Sequence, residues 1–157
     1  MELYGPAVLR LAAGAVFMAH GAQKLFGIWG GGGPAGTAAF FEQLGFSPAY
    51  PLALIVGVVE LIGGLMLVIG AFTLAASLVL IVNMAAAAWT AHLASGFFIN
   101  WALTPGRGHG YEFHLLMIGA LAALMFTGAG AFSIDRRRAR AAEYEAAGRA
   151  RLRAGKV

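Results

Sequence analysis

Pro51–Ala71 reads PLALIVGVVELIGGLMLVIGA, an apolar run with a single carboxylate, Glu60, at its middle. It is as long as the roughly 20 residues an α-helix needs to cross the hydrocarbon core of a bilayer. Lipid offers the backbone no hydrogen-bond partners, so a helix is the structure such a run adopts there. Three further apolar runs flank it, at Pro6–Phe26, Leu74–Ala94 and Tyr111–Ala131. The fold class expected from this pattern is all-α, a membrane four-helix bundle.

Composition points the same way. Hydrophobic residues make up 60% of the chain and charged residues only 11%, with a mean hydropathy of +0.76, which excludes an ordinary soluble domain. Four crossings with their loops use up residues 1–135, leaving 136–157 as a basic tail that can be helical. The first run lacks the basic leader and small-residue cleavage site of a secretory signal and reads as an uncleaved helix. There is no cysteine, hence no disulfide, thiolate metal site or CxxC pair, and electron chemistry would need a cofactor, a quinone or a partner chain.

Of the eleven Lys and Arg residues, Arg136, Arg137, Arg138, Arg140, Arg149, Arg151, Arg153 and Lys156 all follow the last run. Positive charge near span ends stays on the cytoplasmic side, so both termini are expected in the cytoplasm of a multi-pass protein. The same charges suit anionic lipid headgroups, and nothing beyond charge suggests nucleic acid. The loops 27–50 and 95–110 then face outward. In the first, Gly31, Gly33 and Gly36 form a G-x-G-x-x-G that follows a membrane helix rather than a strand, so it reads as a flexible turn and not as a dinucleotide site. Thr37 is expected to cap a short interfacial helix running to about Leu44, with Gly45 as its stop and Phe40, Phe41 and Leu44 on one face.

Ionisable residues within such runs cost several kcal/mol (about 2.5–3.5 for Arg, Lys or Asp at a helix centre) and by default mark a site. With the expected topology, His20 and Lys24 near the end of run one, His92 near the end of run three, and Glu112 and His114 at the start of run four converge on one outer layer. Glu60 and Asn83 sit deeper, where a carboxylate must be protonated or paired with a cation such as Arg10 or Lys24. His20, Lys24, His92 and His114 are candidate ligand donors, and Glu60 and Glu112 candidate proton-handling groups. His20 and His92 could serve as axial haem ligands or join Glu112 at a metal, but no ligand spacing supports either, and no metal ligand is assigned. A faint repeat, Phe17-Met18-Ala19-His20 against Trp89-Thr90-Ala91-His92, suggests two related hairpins.

His20-Gly21-Ala22-Gln23-Lys24-Leu25-Phe26-Gly27, Phe40-Phe41-Glu42-Gln43-Leu44-Gly45, Val59-Glu60-Leu61-Ile62-Gly63-Gly64, His92 with Gly96-Phe97-Phe98, Gly110-Tyr111-Glu112-Phe113 and Phe132-Ser133-Ile134-Asp135 occur in this order. Together they resemble the motifs of the DoxX family. The resemblance covers nearly the whole chain up to Asp135. It implies a four-helix protein of the bacterial inner membrane. It also implies kinship with the small membrane subunit (DoxD) of thiosulfate:quinone oxidoreductase and with a mycobacterial member that works with partner proteins in thiol oxidative-stress defence. The chain departs from the thiosulfate enzyme in its short single-domain length and its lack of cysteine. Three functions stay open: a quinone-linked oxidoreductase subunit; a non-catalytic partner or assembly subunit of a larger complex, or a homo-oligomer; and a small proton-coupled transporter.

Overall fold

In the computed structural model, which describes residues 2–154, the chain is helical throughout, with no strand among the described residues. The helices are α1 (Tyr4–Phe26), α2 (Gly33–Gln43), α3 (Ala49–Ile69), α4 (Thr73–Ala87), α5 (Glu112–Thr127) and α6 (Ile134–Ala154). Helix α1 packs on α3, α3 on α4, α4 on α5 and α5 back on α1, and α2 lies across α1 and α3. Ala13, Phe17, Leu67, Ala76, Leu80, Met84, Met117, Leu121 and Leu124 meet in the middle of this ring as one core.

Two segments, Ala49–Ile69 and Thr73–Ser95, are long and apolar enough to cross a membrane. Only 28% of the most apolar stretch of the first and 22% of that of the second is buried. The helix at the centre of a soluble protein would be mostly buried. Here Ile55, Val58 and Ile62 of α3 and Leu74, Leu78 and Val82 of α4 are exposed. The other two expected spans differ from the sequence reading for physical reasons. Helix α1 has the length, but Arg10, His20 and Lys24 dilute its apolar content, and α5 is apolar but ends after 16 residues.

The closest approach is between α1 and α3. A Cβ at Gly14 would lie 2.7 Å from the carbonyl oxygen of Gly64, and one at Gly64 would lie 2.7 Å from Met18 N. A Cβ at Gly21 would collide with the backbone nitrogen of Leu61, and one at Gly57 would lie 2.8 Å from the Leu25 side chain. Small residues let two helix backbones touch where no hydrophobic effect drives them together. Gly63 faces the other way, toward Leu80 of α4.

At the end of the ring where α3 turns into α4, Arg10 is 1% exposed and meets no carboxylate. Its five N–H groups donate to five carbonyls: Ala129 (2.9 Å), Leu67 (2.9 Å), Val68, Ala131 (3.0 Å) and Phe132 (2.9 Å). The guanidinium therefore ties α1 to the C-terminus of α3, where a cation also complements the helix dipole, and to the segment after α5. Gly70 closes α3 with φ +65°, and a Cβ there would overlap Ser133 and lie 3.1 Å from the Arg10 guanidinium carbon. Asp135 completes this end by accepting from Phe72 N–H and Thr73 N–H, both at 2.8 Å, at the start of α4. The expected tail is a helix beginning at Ile134, half-buried over Ile134–Arg136 and exposed over Arg137–Leu152, with an Arg149–Glu145 pair at 3.1 Å. Residues 155–157, with Lys156, lie outside the described residues.

Helix α2 corrects the expected cap. It starts at Gly33, with Pro34 in its first turn, a position where the missing N–H is no loss. Thr37 lies inside it and donates to Gly33 O at 2.8 Å. Part of the expected flexible glycine turn is therefore helical.

Gly21→Ala should force α1 and α3 apart and destabilise the protein by about 1–3 kcal/mol, read as a lower thermal midpoint in detergent, whereas Gly119→Ala, with open space around it, should not. Burial raises the Asp135 carboxyl, but the N–H groups of Thr73 and Phe72 and the charge of Arg138 outweigh it and hold it below its ordinary value. Its contribution is thus complete above about pH 4 and is lost as pH falls through the lowered value. The stability gap between wild type and Asp135→Asn should be full at neutral pH and close only in acid.

Candidate functional site

The contact of α1 with α3 decides what Lys24 can reach. Lys24 lies one turn beyond His20 on the same face of α1, and the touching backbones bring its Nζ to Glu60 Oε2 at 2.6 Å. Asn83 of α4 donates to the other carboxylate oxygen at 3.0 Å. Glu60 is 3% exposed and both its oxygens are engaged. Of the two cations the sequence offered Glu60, Lys24 is its partner and Arg10 is not.

This group forms part of the wall of a cavity of about 810 Å³ lined by side chains of α1, α2, α3, α4 and α5. His20, Lys24, Glu60, Asn83, His92 and His114 all line it, together with Phe17, Phe40, Phe41, Phe113 and Met117. The two histidines of the repeat, His20 and His92, thus reach one space. Helix α2 contributes Phe40, Phe41 and Leu44, the face expected to group together.

The stretch expected as one helix to Ala94 is interrupted. After Ala87 the backbone widens into a π turn, Ala88–His92, and then tightens into a 3₁₀ turn, Leu93–Ser95. Such widened turns recur at functional sites, and this one carries His92. The His92 ring lies 4.2 Å from that of His114, centroid to centroid. Its Nδ1 is 2.9 Å from the carbonyl oxygen of His109. A carbonyl only accepts, so Nδ1 carries the proton and Nε2 of the neutral ring is left as an acceptor. His114 is 8% exposed and its Nδ1 has no partner among the described residues. A buried polar atom without a partner is costly, and this one belongs to a side chain on the cavity wall.

Glu112 does not line the cavity. It accepts from Ile99 N–H at 3.1 Å and so holds the loop between α4 and α5. Asn100 works beside it, donating to the carbonyls of Thr104 (3.1 Å) and Arg107 (2.8 Å) and accepting from Thr104 N–H at 3.0 Å. Neither Asn100 nor the His109 carbonyl was expected from sequence. Asn100 gives no signal in an aromatic loop, and a backbone carbonyl carries none. Among the described residues no three His, Asp or Glu side chains come together as a metal-holding set.

Removing one member of a buried ion pair leaves the other unpaired, at a typical loss of about 3–5 kcal/mol, whereas replacing both is often close to neutral. Lys24→Met should therefore lower the thermal midpoint in detergent more than the double variant Lys24→Met/Glu60→Met does. A double variant as unstable as the sum of its singles would show that the pair is not coupled.

The chain is 29% identical over 142 residues to an uncharacterized protein of Haemophilus influenzae, covering 86% of this chain and 93% of that one. It is 32% identical over 132 residues to an uncharacterized membrane protein of Mycobacterium tuberculosis, covering 82% and 78% respectively. No solved structure matches. The model of the DoxX family matches residues 5–93, a stretch that holds His20, Lys24, Glu60, Asn83 and His92, and the chain belongs to the DoxX family of membrane proteins.

Proposed function

We propose that this protein is a quinone-linked oxidoreductase subunit, a four-helix bundle of the bacterial inner membrane with both termini in the cytoplasm. In this reading α1, α3, α4 with its turns, and α5 cross the bilayer, and α2 lies at the outer interface as a lid. Four crossings fit the outward-facing apolar side chains of α3 and α4. They also fit the way the charges of α1 are satisfied inside the ring, Arg10 by carbonyls and Lys24 by Glu60. The arginines after α5 fit a cytoplasmic C-terminus.

One observation carries the functional reading. A largely apolar cavity brings three candidate donors, His20, Lys24 and His114, and an acceptor, Nε2 of His92, to the same space as a buried Glu60–Asn83 pair. A quinone headgroup fits this set. When bound it supplies the electron-accepting chemistry, which the protein's own side chains lack.

The residues do the rest. Lys24 retains N–H groups beyond the one given to Glu60 and can donate to a carbonyl oxygen. His114 has an Nδ1 free to pair with a ligand. Glu60, hydrogen-bonded to Lys24, is a route by which a proton reaches the ammonium after the ammonium has given one up. Phe113 and Met117 keep water from the ring. Electrons come from a partner chain, which fits expected association with other subunits.

A second reading has its own observation: both oxygens of Glu60 are already engaged, as in a packing counter-ion of an assembly subunit. Purification in mild detergent, followed by solvent extraction, tests both. Quinone should accompany the wild type and fall about tenfold or more in His20→Ala, which removes a donor that has no hydrogen bond to the protein. Glu60→Gln, which leaves the Lys24 ammonium without its counter-ion, should lower the thermal midpoint, and quinone reduction should fall as well in the protein that stays folded. A wild type that arrives without quinone, or a Glu60→Gln protein that loses stability but not activity, would favour the packing role.

A further inference from the structure

The cavity has one wall unlike the others. Toward α1 and α5 it is closed by Phe17 and Met117, both buried. Between α3 and α4 its lining is Leu52 and Val56 on one side and Ala86, Ala87, Thr90 and Ala91 on the other. Ala86 and Thr90 line the cavity and are themselves exposed, so this side of it is a rim rather than a closed wall. Deeper, the two helices are joined: Gly63 sits against Leu80, and Asn83 bonds to Glu60. Beyond that level both helices line the cavity.

The chemistry of the rim is apolar. The Thr90 hydroxyl donates to Ala86 O at 2.8 Å, so its hydrogen is used on the helix and the methyl groups remain. The rim side chains are small, whereas Val82, Trp89 and Leu93 around them are large, apolar and exposed, Trp89 to 76%. A notch in an apolar flank, leading to a pocket with polar groups at its base, fits a ligand with a polar head and a long apolar tail. It does not fit a small water-soluble one.

We propose, resting on the quinone reading above, that the ligand enters sideways from the bilayer between α3 and α4, and that its isoprenoid tail leaves over Ala86 and Thr90 while its ring stays beside His20, Lys24 and His114. The small side chains at 86 and 90 are therefore determinants of ligand class: they select tailed quinones over headgroups alone.

Equilibrium binding of two probes to the purified full-length protein in detergent tests this: menaquinone with its isoprenoid tail, and tail-free menadione. Ala86→Trp should weaken menaquinone about tenfold or more and change menadione by less than about twofold. Ala86→Leu, a smaller plug on an exposed face, should give the same order with a smaller effect, and serves if the larger side chain disturbs folding. Equal loss of both probes, or no change in either, overturns the lateral route while leaving the quinone site standing. Wild-type protein that binds menadione as tightly as menaquinone also overturns it. Wild-type protein that binds neither overturns the quinone reading itself.

Discussion

The bare backbone contact between α1 and α3 is the constraint on which the rest depends. Gly14 and Gly21 of α1 meet Gly64, Gly57 and Leu61 of α3, and only at that distance does Lys24 reach a carboxylate placed mid-helix on α3. Each glycine gives up about 1 kcal/mol of helix propensity relative to alanine, which close packing has to offset. With larger residues at these positions the ammonium would lose its counter-ion, and the buried carboxylate would keep only Asn83. The ion pair is thus a consequence of the glycines as much as of the charges, and the cavity inherits its polar wall from both.

The two cations of α1 are satisfied in different ways, and this separates structure from chemistry. Arg10 is surrounded by carbonyls, which cannot accept or release a proton in any useful range, so that end of the ring is a fixed joint. Asp135 strengthens it by capping α4 from the start of α6. Lys24 instead meets a titratable partner on the wall of a cavity. Only at the second end does a titratable pair stand on the wall of a cavity. A buried arginine in an apolar run invites a functional reading by default, and here five carbonyl contacts make it a joint between elements.

Run length and composition made the helical fold and the membrane setting readable in the sequence, which also put His20, Lys24, His92, Glu112 and His114 in one layer and Glu60 with Asn83 deeper; the cavity takes in both levels but not Glu112. Identifying Lys24 as the partner of Glu60, in place of Arg10, needed the α1–α3 contact, which no periodicity encodes. The π turn at Ala88–His92 was invisible because its residues are ordinary helix formers, and the widening follows from how the chain leaves α4 toward the loop. The start of α2 was misplaced for a local reason: Thr37 satisfies its hydroxyl on the preceding turn, an alternative to capping that composition does not distinguish. Glu112 looked like a member of the site by depth alone, while its carboxylate turns to Ile99 N–H.

That last contact links loop and site. Glu112 and Asn100 shape the loop from Gly96 to Tyr111, the loop supplies the His109 carbonyl, and this carbonyl fixes the proton of His92 on Nδ1. The His92 ring in turn packs, tilted by 38°, against that of His114, whose own Nδ1 has no partner among the described residues. A π turn is a poor way to end a helix on stability grounds, since it widens the hydrogen-bonded ring for no gain in packing. In this protein it turns His92 toward α5 at the height where the cavity needs a second ring. The carboxylate at the start of α5 therefore acts at a distance, through the loop, while the buried carboxylate of α3 acts on the cavity directly. The two acidic residues named as candidate proton-handling groups thus divide into one that holds a loop and one that is paired on the cavity wall.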